Sequence, residues 1–316
     1  MHANSPRCTV LTGGIGGAKL VLGLAQNLGA EYLSIIVNTG DDFEHLGLPI
    51  SPDLDTLMYT LAGKVNPETG WGLVNESWDF MDALEALNGE TWFRLGDRDL
   101  ATHVSRAQLL GKGLNLTEVS TTLYRTAGID FAVMPMSDDP VRTRIQTDSE
   151  LLDFQDYFVR QQAQPTACSI EYAGAESAKP GADVLSALNN ADLILIAPSN
   201  PWLSIDPILS LSDIKATLIK TNKPVLGISP IVNGRAIKGP TAKLMSELGL
   251  EVSALAIAQH YADILDGFII DNADTAQREA IEDLGIRVGI TNTIMHTLTD
   301  KTALAEFCLQ FAKSEL

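Results

Sequence analysis

The sequence predicts an α/β fold: a parallel sheet flanked by helices, with a largely helical insertion. Three observations predict it. Apolar runs of strand length alternate with segments of helical periodicity near the start of the chain and again in its second half. A glycine-rich turn joins the first apolar run to the first helical segment. Between residues 64 and 127, helical patterns dominate and the alternation stops.

The length of 316 residues suits two domains, or one large domain with an insertion. The alternation pattern favours a nucleotide-binding core made of residues 1–63 and 128–316. Residues 64–127 then form a helical insertion or lid. The hydrophobic content of 45% is ordinary for a globular protein.

The charge excludes one class of partner. Forty acidic residues against 22 basic ones give a net charge of −18, which repels nucleic acid. An anionic small molecule is not excluded, because a glycine loop, a metal ion and a few basic side chains reverse the field locally. The three cysteines have no zinc spacing, Met1–Arg7 contains no apolar leader, and no apolar run approaches the ~20 residues of a membrane span. We expect a cytoplasmic protein without membrane contact.

The first elements form a βαβ unit. Cys8–Leu11 and Leu33–Val37 are strand-like, and Ala18–Leu28 between them has helical spacing, so the two strands should be parallel. Further helices are predicted at 53–61, 78–87, 99–111, 115–127, 153–160, 183–189, 208–217, 241–248, 273–284 and 301–314, and further strands at 130–135, 141–146, 167–172, 193–197, 225–229, 267–270 and 287–290.

The turn Thr12–Lys19 carries the strongest chemical signal. Its glycines let the backbone approach a phosphate, and the following helix offers free N–H groups and a positive dipole end. Lys19 stands where a dinucleotide fingerprint has its third glycine, and no GK[ST] closes a Walker A loop. The alternative is a tight turn without ligand. The candidate substrate contacts are Gly13, Gly14, Gly16, Gly17 and Lys19.

Two acidic segments follow the second strand. Asp41 and Asp42 leave its carboxyl end, where they can hold Mg²⁺ through one or two oxygens while waters and phosphates fill the other positions. A plain acidic turn is the alternative. Asp53 and Asp55 are either helix caps or site residues. The charges of 94–99, which include Arg94, suit an anion or heterocycle contact or a surface ion-pair cluster.

Two loops follow later apolar strands. Asn200 can pair with a base edge or a ribose, and Arg235 and Lys238 offer cationic contacts to phosphate. Ordinary turn chemistry explains the same prolines and glycines equally well. His260 is either a general base or a core histidine. No nucleophile elbow is visible, so covalent catalysis finds no support.

Together these motifs resemble one family, the 2-phospho-L-lactate transferases of coenzyme F420 biosynthesis, called CofD in archaea and FbiA in actinobacteria. The resemblance covers most of the chain, because the segments occur in the family's order. They are TGGIGGAKL (12–20), NTGDD (38–42), SPDLDTLMYTLAG (51–63), WG (71–72), RLGDRDLATH (94–103), APSNPWLSIDPIL (197–209), SPIVNGRAIKGPTAKLM (229–245) and HYADILDGFIID (260–271).

The resemblance implies a Rossmann-like homodimer with a helical insertion. It implies an Mg²⁺-dependent transfer of a phospho-acid (phospholactyl, phosphoenolpyruvyl or phosphoglyceryl) from a guanosine diphosphate-linked donor to the terminal hydroxyl of the deazaflavin Fo, with release of GMP. Asp55 and Arg94 would contact Fo, and Asp41 and Asp42 would lie near the metal. The guanosine diphosphate part would be shared by the glycine turn and the loop Ser199, Asn200 and Pro201.

For such a phosphoryl transfer our hypothesis is that a nearby carboxylate takes the hydroxyl proton, and Asp42 and Asp55 are the candidates. Two rivals stay open. A non-catalytic nucleotide-sugar-binding regulator of the YvcK-like family shares the expected fold, but Phe43-Glu44-His45 after the aspartates and the RLGDRD segment favour the transferase. An NAD-dependent oxidoreductase is disfavoured by Lys19. No segment specifies the acid.

Overall fold

A seven-stranded parallel sheet lies at the centre of the protein, whose computed structural model describes residues 5–316. Residues 1–4 lie outside the described part. They belong to the segment Met1–Arg7, in which the sequence shows no apolar leader. The strands of residues 5–316, in chain order, are β1 (Cys8–Thr12), β2 (Leu33–Val37), β3 (Phe43–His45), β4 (Leu48–Ile50), β5 (Ala132–Pro135), β6 (Arg142–Thr147), β7 (Leu151–Asp153), β8 (Ala167–Ala173), β9 (Leu193–Ile196), β10 (Val225–Ile228), β11 (Ile231–Val232), β12 (Arg235–Ala236), β13 (Gly267–Asp271) and β14 (Arg287–Thr291).

Helices surround this sheet. They are α1 (Gly14–Asn27), α2 (Pro52–Leu61), α3 (Asp79–Ala86), α4 (Asp97–Gly111), α5 (Leu116–Thr126), α6 (Val184–Asn190), α7 (Asp206–Leu209), α8 (Ser212–Lys220), α9 (Thr241–Glu247), α10 (Ala254–His260), α11 (Arg278–Glu282) and α12 (Leu298–Glu315), with short 3₁₀ turns at Ala30–Tyr32 and Asn272–Gln277 and π-helical turns at Asp156–Arg160 and Pro201–Ile205. Among residues 5–316, no helix is long and apolar enough to cross a bilayer.

The strand order confirms the predicted fold class. The sheet runs β14-β13-β10-β9-β1-β2-β5, and each neighbouring pair is parallel. β1 pairs with β2 from Cys8↔Leu33 to Thr12↔Val37, as predicted for the βαβ unit. The chain continues from β1 to β2 on one side, and β9 lies on the other side. A crevice therefore opens at the carboxyl ends of β1 and β9, where such sheets bind ligands.

Both faces of the sheet are covered, which is why its strands are apolar throughout. Adjacent residues of β1 illustrate this, because Val10 packs with α1, α2 and α12 on one face and Leu11 packs with the α6–α8 helices on the other. The α1 backbone touches α12 so closely at Gly23 that a β-carbon there would collide with the backbone of Lys301. The glycine turn at the start of α1 thus rests on a well-packed helix pair.

Two of the predicted strands are not part of the central sheet. The segments predicted at 141–146 and 167–172 are strands β6 and β8, but they pair antiparallel with each other and with β7 in a separate three-stranded sheet. Their strand-like composition did not reveal the sheet they join. The predicted helix at 208–217 is divided into α7 and α8.

The region 64–127 contains α3, α4 and α5. A small core of its own joins this region to the β3–β4 hairpin through Ile50, Met81 and Leu95. Helix α5 instead packs on β5 of the central sheet, and its Tyr124 belongs to the main core. The division into a core (1–63 and 128–316) and an insertion (64–127) stays a prediction.

Candidate active site

A cavity of about 600 Å³ lies at the carboxyl edge of the sheet, at the crevice between β1 and β9. Its walls come from the glycine turn, α2, the start of α4, the π-helical turn at Asp156–Arg160 and the loops after β9, β10 and β14. We call Gly13, Gly14, Gly16, Lys19, Ser199 and Asn200 the glycine wall, and Asp55, Tyr59, Asp99 and His103 the carboxylate wall.

The glycine wall needs its glycines for close packing. A β-carbon on Gly13 would collide with the Asp53 carboxylate and lie 2.8 Å from Ser204 Cβ, and Gly14 has a φ of +63°. Side chains at Gly16 and Gly17 would collide with the Pro198 carbonyl and with Thr12. The cavity is lined by Gly13, Gly14 and Gly16, whereas Gly17 faces the packed interior.

A carboxylate already occupies the N-terminus of α1. The Gly14 N–H donates to Asp53 Oδ1 at 2.6 Å, and Asn38 Nδ2 donates to Asp53 Oδ2 at 2.9 Å. Of the two alternatives for Asp53 and Asp55, the capping of their own helix is not observed, because Ser51 is the N-cap residue of α2 and Asp53 reaches across to α1. Burial raises the pKa of Asp53 to about 6, against the two hydrogen bonds that lower it.

Asp41 and Asp42 differ in their access to the main cavity. Asp41 lines both the main cavity and a second one beside it, and it accepts a hydrogen bond from Asn38 Nδ2 at 3.3 Å. Asp42 accepts from Ser51 Oγ at 2.7 Å and lines this second cavity of about 440 Å³, whose wall includes Arg142. Burial, followed by the charges of Asp53 and Asp42, raises the pKa of Asp41. Burial raises the pKa of Asp42 to about 7, and the Arg142 guanidinium opposes that rise.

These carboxylates fit a divalent cation. Within residues 5–316, no three His, Cys, Asp or Glu side chains gather as a ready-made ligand set. Mg²⁺ is nevertheless commonly held by one or two carboxylates, with waters and substrate phosphates completing its shell. Asp42 Oδ1 is buried without a hydrogen-bond partner. Burial penalises the negative charges of Asp41, Asp42 and Asp53, which a cation would compensate.

The carboxylate wall is held by side chains that sequence reasoning missed. Asp55 Oδ1 forms an ion pair with the fully buried Arg106, and Asp55 Oδ2 has no hydrogen-bond partner. His103 lies between Asp55 and Asp99. Asp99, His103 and Arg106 recur at positions i, i+4 and i+7 of α4, so a buried polar face on this helix was the available signal.

Hydrogen bonds keep Asp99 ionised. Burial opposes its charge, but the His103 ring, whose Nε2 lies 3.5 Å from Asp99 Oδ2, and the hydrogen bond from Tyr59 Oη, 2.5 Å long, lower the pKa of Asp99 below its ordinary value. The wall therefore presents carboxylates whose oxygens only accept hydrogen bonds, which suits a ligand with several hydroxyl groups.

Arg94 lines the same cavity among aromatic rings. Its guanidinium lies 4.5 Å from the centroid of the Trp78 ring, a cation–π contact that holds the arginine in place. Trp92, Phe93, Phe154 and Phe158 also line the cavity and offer flat apolar faces to a planar ligand.

On the glycine wall, Lys19 Nζ donates to the Met295 carbonyl at 2.9 Å, and burial, followed by the nearby Lys238 and Lys301 charges, lowers the pKa of Lys19. Asn200 Oδ1 accepts from the backbone N–H groups of the following turn, and its Nδ2 is buried without a partner. Ser199 Oγ donates to the Gly13 carbonyl at 2.7 Å and joins the β9 loop to the glycine turn.

The remaining predicted contacts are dispersed. Lys238 lines the cavity, and its Nζ donates to the Thr69 carbonyl at 2.9 Å. Arg235 is exposed on β12, and neither it nor the buried Pro201 lines the cavity. Their substrate contacts stay predictions. Sequence reasoning also missed Thr293 and Met295, which line the cavity after β14, because no motif marks that loop.

His260 lies outside the cavity. Its Nε2 is 2.9 Å from both carboxylate oxygens of Asp206, and its ring packs against Trp202 with a centroid distance of 5.2 Å. This pair connects α10 to α7 behind the Asn200 loop. His260 is exposed, so it is not the core histidine of the alternative prediction, and its place outside the cavity gives no support to a general-base role.

Comparisons with known proteins show which sequences this chain is similar to. The family described as "2-phospho-L-lactate transferase CofD" matches residues 8–292. The chain is 40% identical over 313 residues to the phosphoenolpyruvate transferase of Streptomyces griseus subsp. griseus, covering 97% of this chain and 98% of the relative. It is 38% identical over 298 residues to the 2-phospho-L-lactate transferase of Methanosarcina acetivorans, covering 94% and 96%.

Solved structures share the fold. A member of the UPF0052 family from Bacillus halodurans superposes with a TM-score of 0.62 at 13% identity, covering 97% of this chain and 99% of the other. At that identity the likeness concerns the fold alone.

Proposed function

The chain belongs to the 2-phospho-L-lactate transferase CofD family of coenzyme F420 biosynthesis, and we propose that it transfers a phospho-acid from a guanosine diphosphate-linked donor to the deazaflavin Fo. In this reaction the terminal hydroxyl of Fo attacks the phosphorus that carries the acid. A phosphodiester bond forms, the bond to the GMP oxygen breaks, and GMP leaves.

One observation carries the proposal: the glycine wall and the carboxylate wall line the same cavity. The glycine wall is proposed to hold the donor. Its glycines permit close backbone approach to phosphate, Lys19 and Lys238 supply positive charge, and the unpartnered Asn200 Nδ2 offers a donor to the nucleoside.

The carboxylate wall is proposed to hold the acceptor. Fo combines a planar ring system with a ribityl chain, which matches the aromatic residues beside Arg94 and the acceptor oxygens of Asp55 and Asp99. Asp55 Oδ2, free of other hydrogen bonds, is proposed to receive the hydrogen of the attacking hydroxyl. Asp42 lines the other cavity, so Asp55 is the stronger candidate for this role.

Mg²⁺ is proposed as the cofactor, held by Asp41 and Asp53 on the main cavity with Asp42 behind them. When bound, it supplies positive charge to the non-bridging oxygens of the diphosphate. Asn38 holds Asp41 and Asp53 together through one amide nitrogen. The homodimer and the cytoplasmic location expected from the sequence stay predictions.

The test is incubation of the protein with Fo, Mg²⁺ and one donor at a time: guanylylated phospholactate, phosphoenolpyruvate or phosphoglycerate. Formation of GMP and of an acidic deazaflavin is expected with at least one donor, and the relative rates identify the acid. If no donor gives product while a nucleotide still binds, the transferase proposal fails and the regulator alternative replaces it.

A further inference from the structure

A buried charged network connects α2 to α4 behind the carboxylate wall. Arg106, 2% exposed, donates from one terminal nitrogen to Asp55 Oδ1 and lies with the other 3.2 Å from His103 Nδ1. His103 Nε2 lies 3.5 Å from Asp99 Oδ2, and Asp99 Oδ1 accepts from Tyr59. Of these residues, Arg106 alone does not line the cavity.

The contact between Arg106 and His103 determines which ring nitrogen carries the proton. A guanidinium only donates hydrogen bonds, so His103 Nδ1 must accept from it. The proton of a neutral His103 then lies on Nε2, which has no hydrogen-bond partner and whose nearest carboxylate oxygen is Asp99 Oδ2 at 3.5 Å. A protonated His103 would turn an Nδ1–H toward the guanidinium at 3.2 Å, which is nearer to Nδ1 than Asp55 Oδ2 at 3.7 Å, and two donors would face each other.

The network leaves the wall with an excess of negative charge. Asp55 and Asp99 are two carboxylates, and among residues 5–316 Arg106 is the one guanidinium that forms an ion pair with either of them. Asp55 Oδ2 stays without a hydrogen-bond partner, and 17% of the Asp99 side chain is exposed toward the cavity. Such a wall attracts hydroxyl hydrogens and repels phosphate, which separates an acceptor alcohol from the donor's diphosphate.

We propose that Arg106 and His103 are positioning residues: Arg106 fixes Asp55 and selects the His103 tautomer, and that tautomer turns an N–H toward Asp99, which Tyr59 holds, so both carboxylates face the hydroxyl groups of a polyhydroxylated acceptor. The proposal rests on the proposed function for the identity of the acceptor. The tautomer itself is independent of any substrate.

The first experiment measures the tautomer. The chain has five histidines, so ¹⁵N-histidine labelling gives a tractable two-bond ¹H–¹⁵N spectrum, and His103→Gln assigns the His103 signals by their loss. We expect a neutral Nε2–H ring in the wild type, and its replacement by a tautomer mixture in Arg106→Lys. A charged ring or an Nδ1–H tautomer in the wild type overturns the proposal, whether or not the protein has transferase activity.

The second experiment uses two amide variants, each of which replaces one of the two ring nitrogens of His103. His103→Asn places an acceptor near the position of Nδ1 for Arg106, and His103→Gln places a donor near the position of Nε2 for Asp99. Each lost contact should raise the acceptor KM about tenfold, with kcat and the donor KM within about twofold of the wild type. His260→Gln, outside the cavity, is the control and should leave all three constants unchanged.

The outcomes distinguish a failure of the proposed function from a failure of the positioning role. A wild-type protein without product from any donor removes the proposed function but leaves the tautomer test standing. An active wild type whose acceptor KM is unchanged in His103→Asn, His103→Gln and Arg106→Lys, with melting temperatures showing that all three fold, removes the positioning role. A loss confined to kcat in His103→Asn, which leaves the Arg106–Asp55 ion pair in place, also removes it.

Discussion

One amide nitrogen joins two buried carboxylates at the centre of the site. Asn38 Nδ2 lies 2.9 Å from Asp53 Oδ2 and 3.3 Å from Asp41 Oδ1, at the carboxyl end of β2. The same nitrogen also reaches the Leu203 carbonyl at 3.2 Å. A single neutral donor thus holds two acidic side chains that repel each other, which concentrates negative charge beside the glycine turn.

This arrangement predicts an inverted pH dependence of stability in the absence of divalent metal. The folded-state pKa of Asp42 is about 7 and that of Asp53 about 6, both above the ordinary value of an unfolded aspartate. Between pH 4 and 7 the folded protein therefore binds more protons than the unfolded chain at these groups. Their contribution to the free energy of unfolding falls as the pH rises, by up to about 4 kcal/mol for Asp42.

The measurement is chemical denaturation in EDTA at several pH values, for the wild type and Asp42→Asn. The difference between the two isolates Asp42 from all other titrating groups. We expect Asp42→Asn to gain stability relative to the wild type toward pH 7, and Mg²⁺ to stabilise the wild type more at pH 8 than at pH 5. Parallel pH profiles for the two proteins would contradict the assignment.

Asp55→Asn should separate chemistry from packing. Loss of the carboxylate removes the group proposed to orient the attacking hydroxyl, and we expect kcat/KM to fall by about 100-fold or more. It also leaves Arg106 buried without its ion-pair partner, at a cost of about 3 kcal/mol or more in unfolding free energy. Steady-state kinetics and denaturation measure the two effects. Full activity with normal Fo binding would end the role proposed for Asp55.

Gly13→Ala should damage both the fold and the donor site. The added methyl would meet Asp53 and the β-carbons of Ser204 and Asn38, the latter two at 2.8 and 3.1 Å. We expect a loss of about 1–3 kcal/mol in unfolding free energy and a higher donor KM.

The matched control for that variant is Gly111→Ala at the end of α4. A β-carbon there meets nothing within 4 Å, and the residue lies in a helix, so the change should be neutral or stabilising by up to about 1 kcal/mol. Equal stability loss in the two variants would show that crowding at Gly13 is not the cause.

The donor KM and the acceptor KM of one variant in each wall should show which substrate each wall binds. Lys19→Met removes a positive charge from the glycine wall and should raise the donor KM about tenfold while leaving the acceptor KM near the wild-type value. Arg94→Met removes the guanidinium held over Trp78 and should do the reverse. Both constants are read from one initial-rate grid of donor against acceptor concentrations. Equal effects on both substrates in either variant would contradict the assignment of the walls.

The central sheet was predictable from the sequence because buried parallel strands are apolar on both faces. The runs at Leu33–Val37 and Leu193–Ile196 have no other stable place than the middle of a covered sheet. Half-buried strands such as β6 and β8 carry polar residues whose partners are set by tertiary contacts, so their separate antiparallel sheet could not be inferred. The short hairpin β11–β12 was hidden in a segment interpreted as a loop.

The candidate site was partly predictable for the same kind of reason. Glycines and carboxylates after strand ends have a direct chemical signature, and Gly13, Asp41 and Asp55 do line one cavity. Arg106 and His103 lie inside a helix, where single polar residues are ordinary, and their meaning depends on which helix packs against them. The reach of Asp53 across to α1 depends on tertiary contacts in the same way.

That reach has a kinetic consequence. With Asp53 on the N-terminus of α1, the end of the helix that usually attracts anions is already neutralised by the protein itself. A diphosphate that arrives without a cation meets carboxylates instead of a helix N-terminus with free N–H groups. On the proposed function, productive assembly is therefore ordered: a cation or the cation–donor complex enters first, and the turnover rate at low Mg²⁺ is governed by metal occupancy rather than by nucleotide concentration.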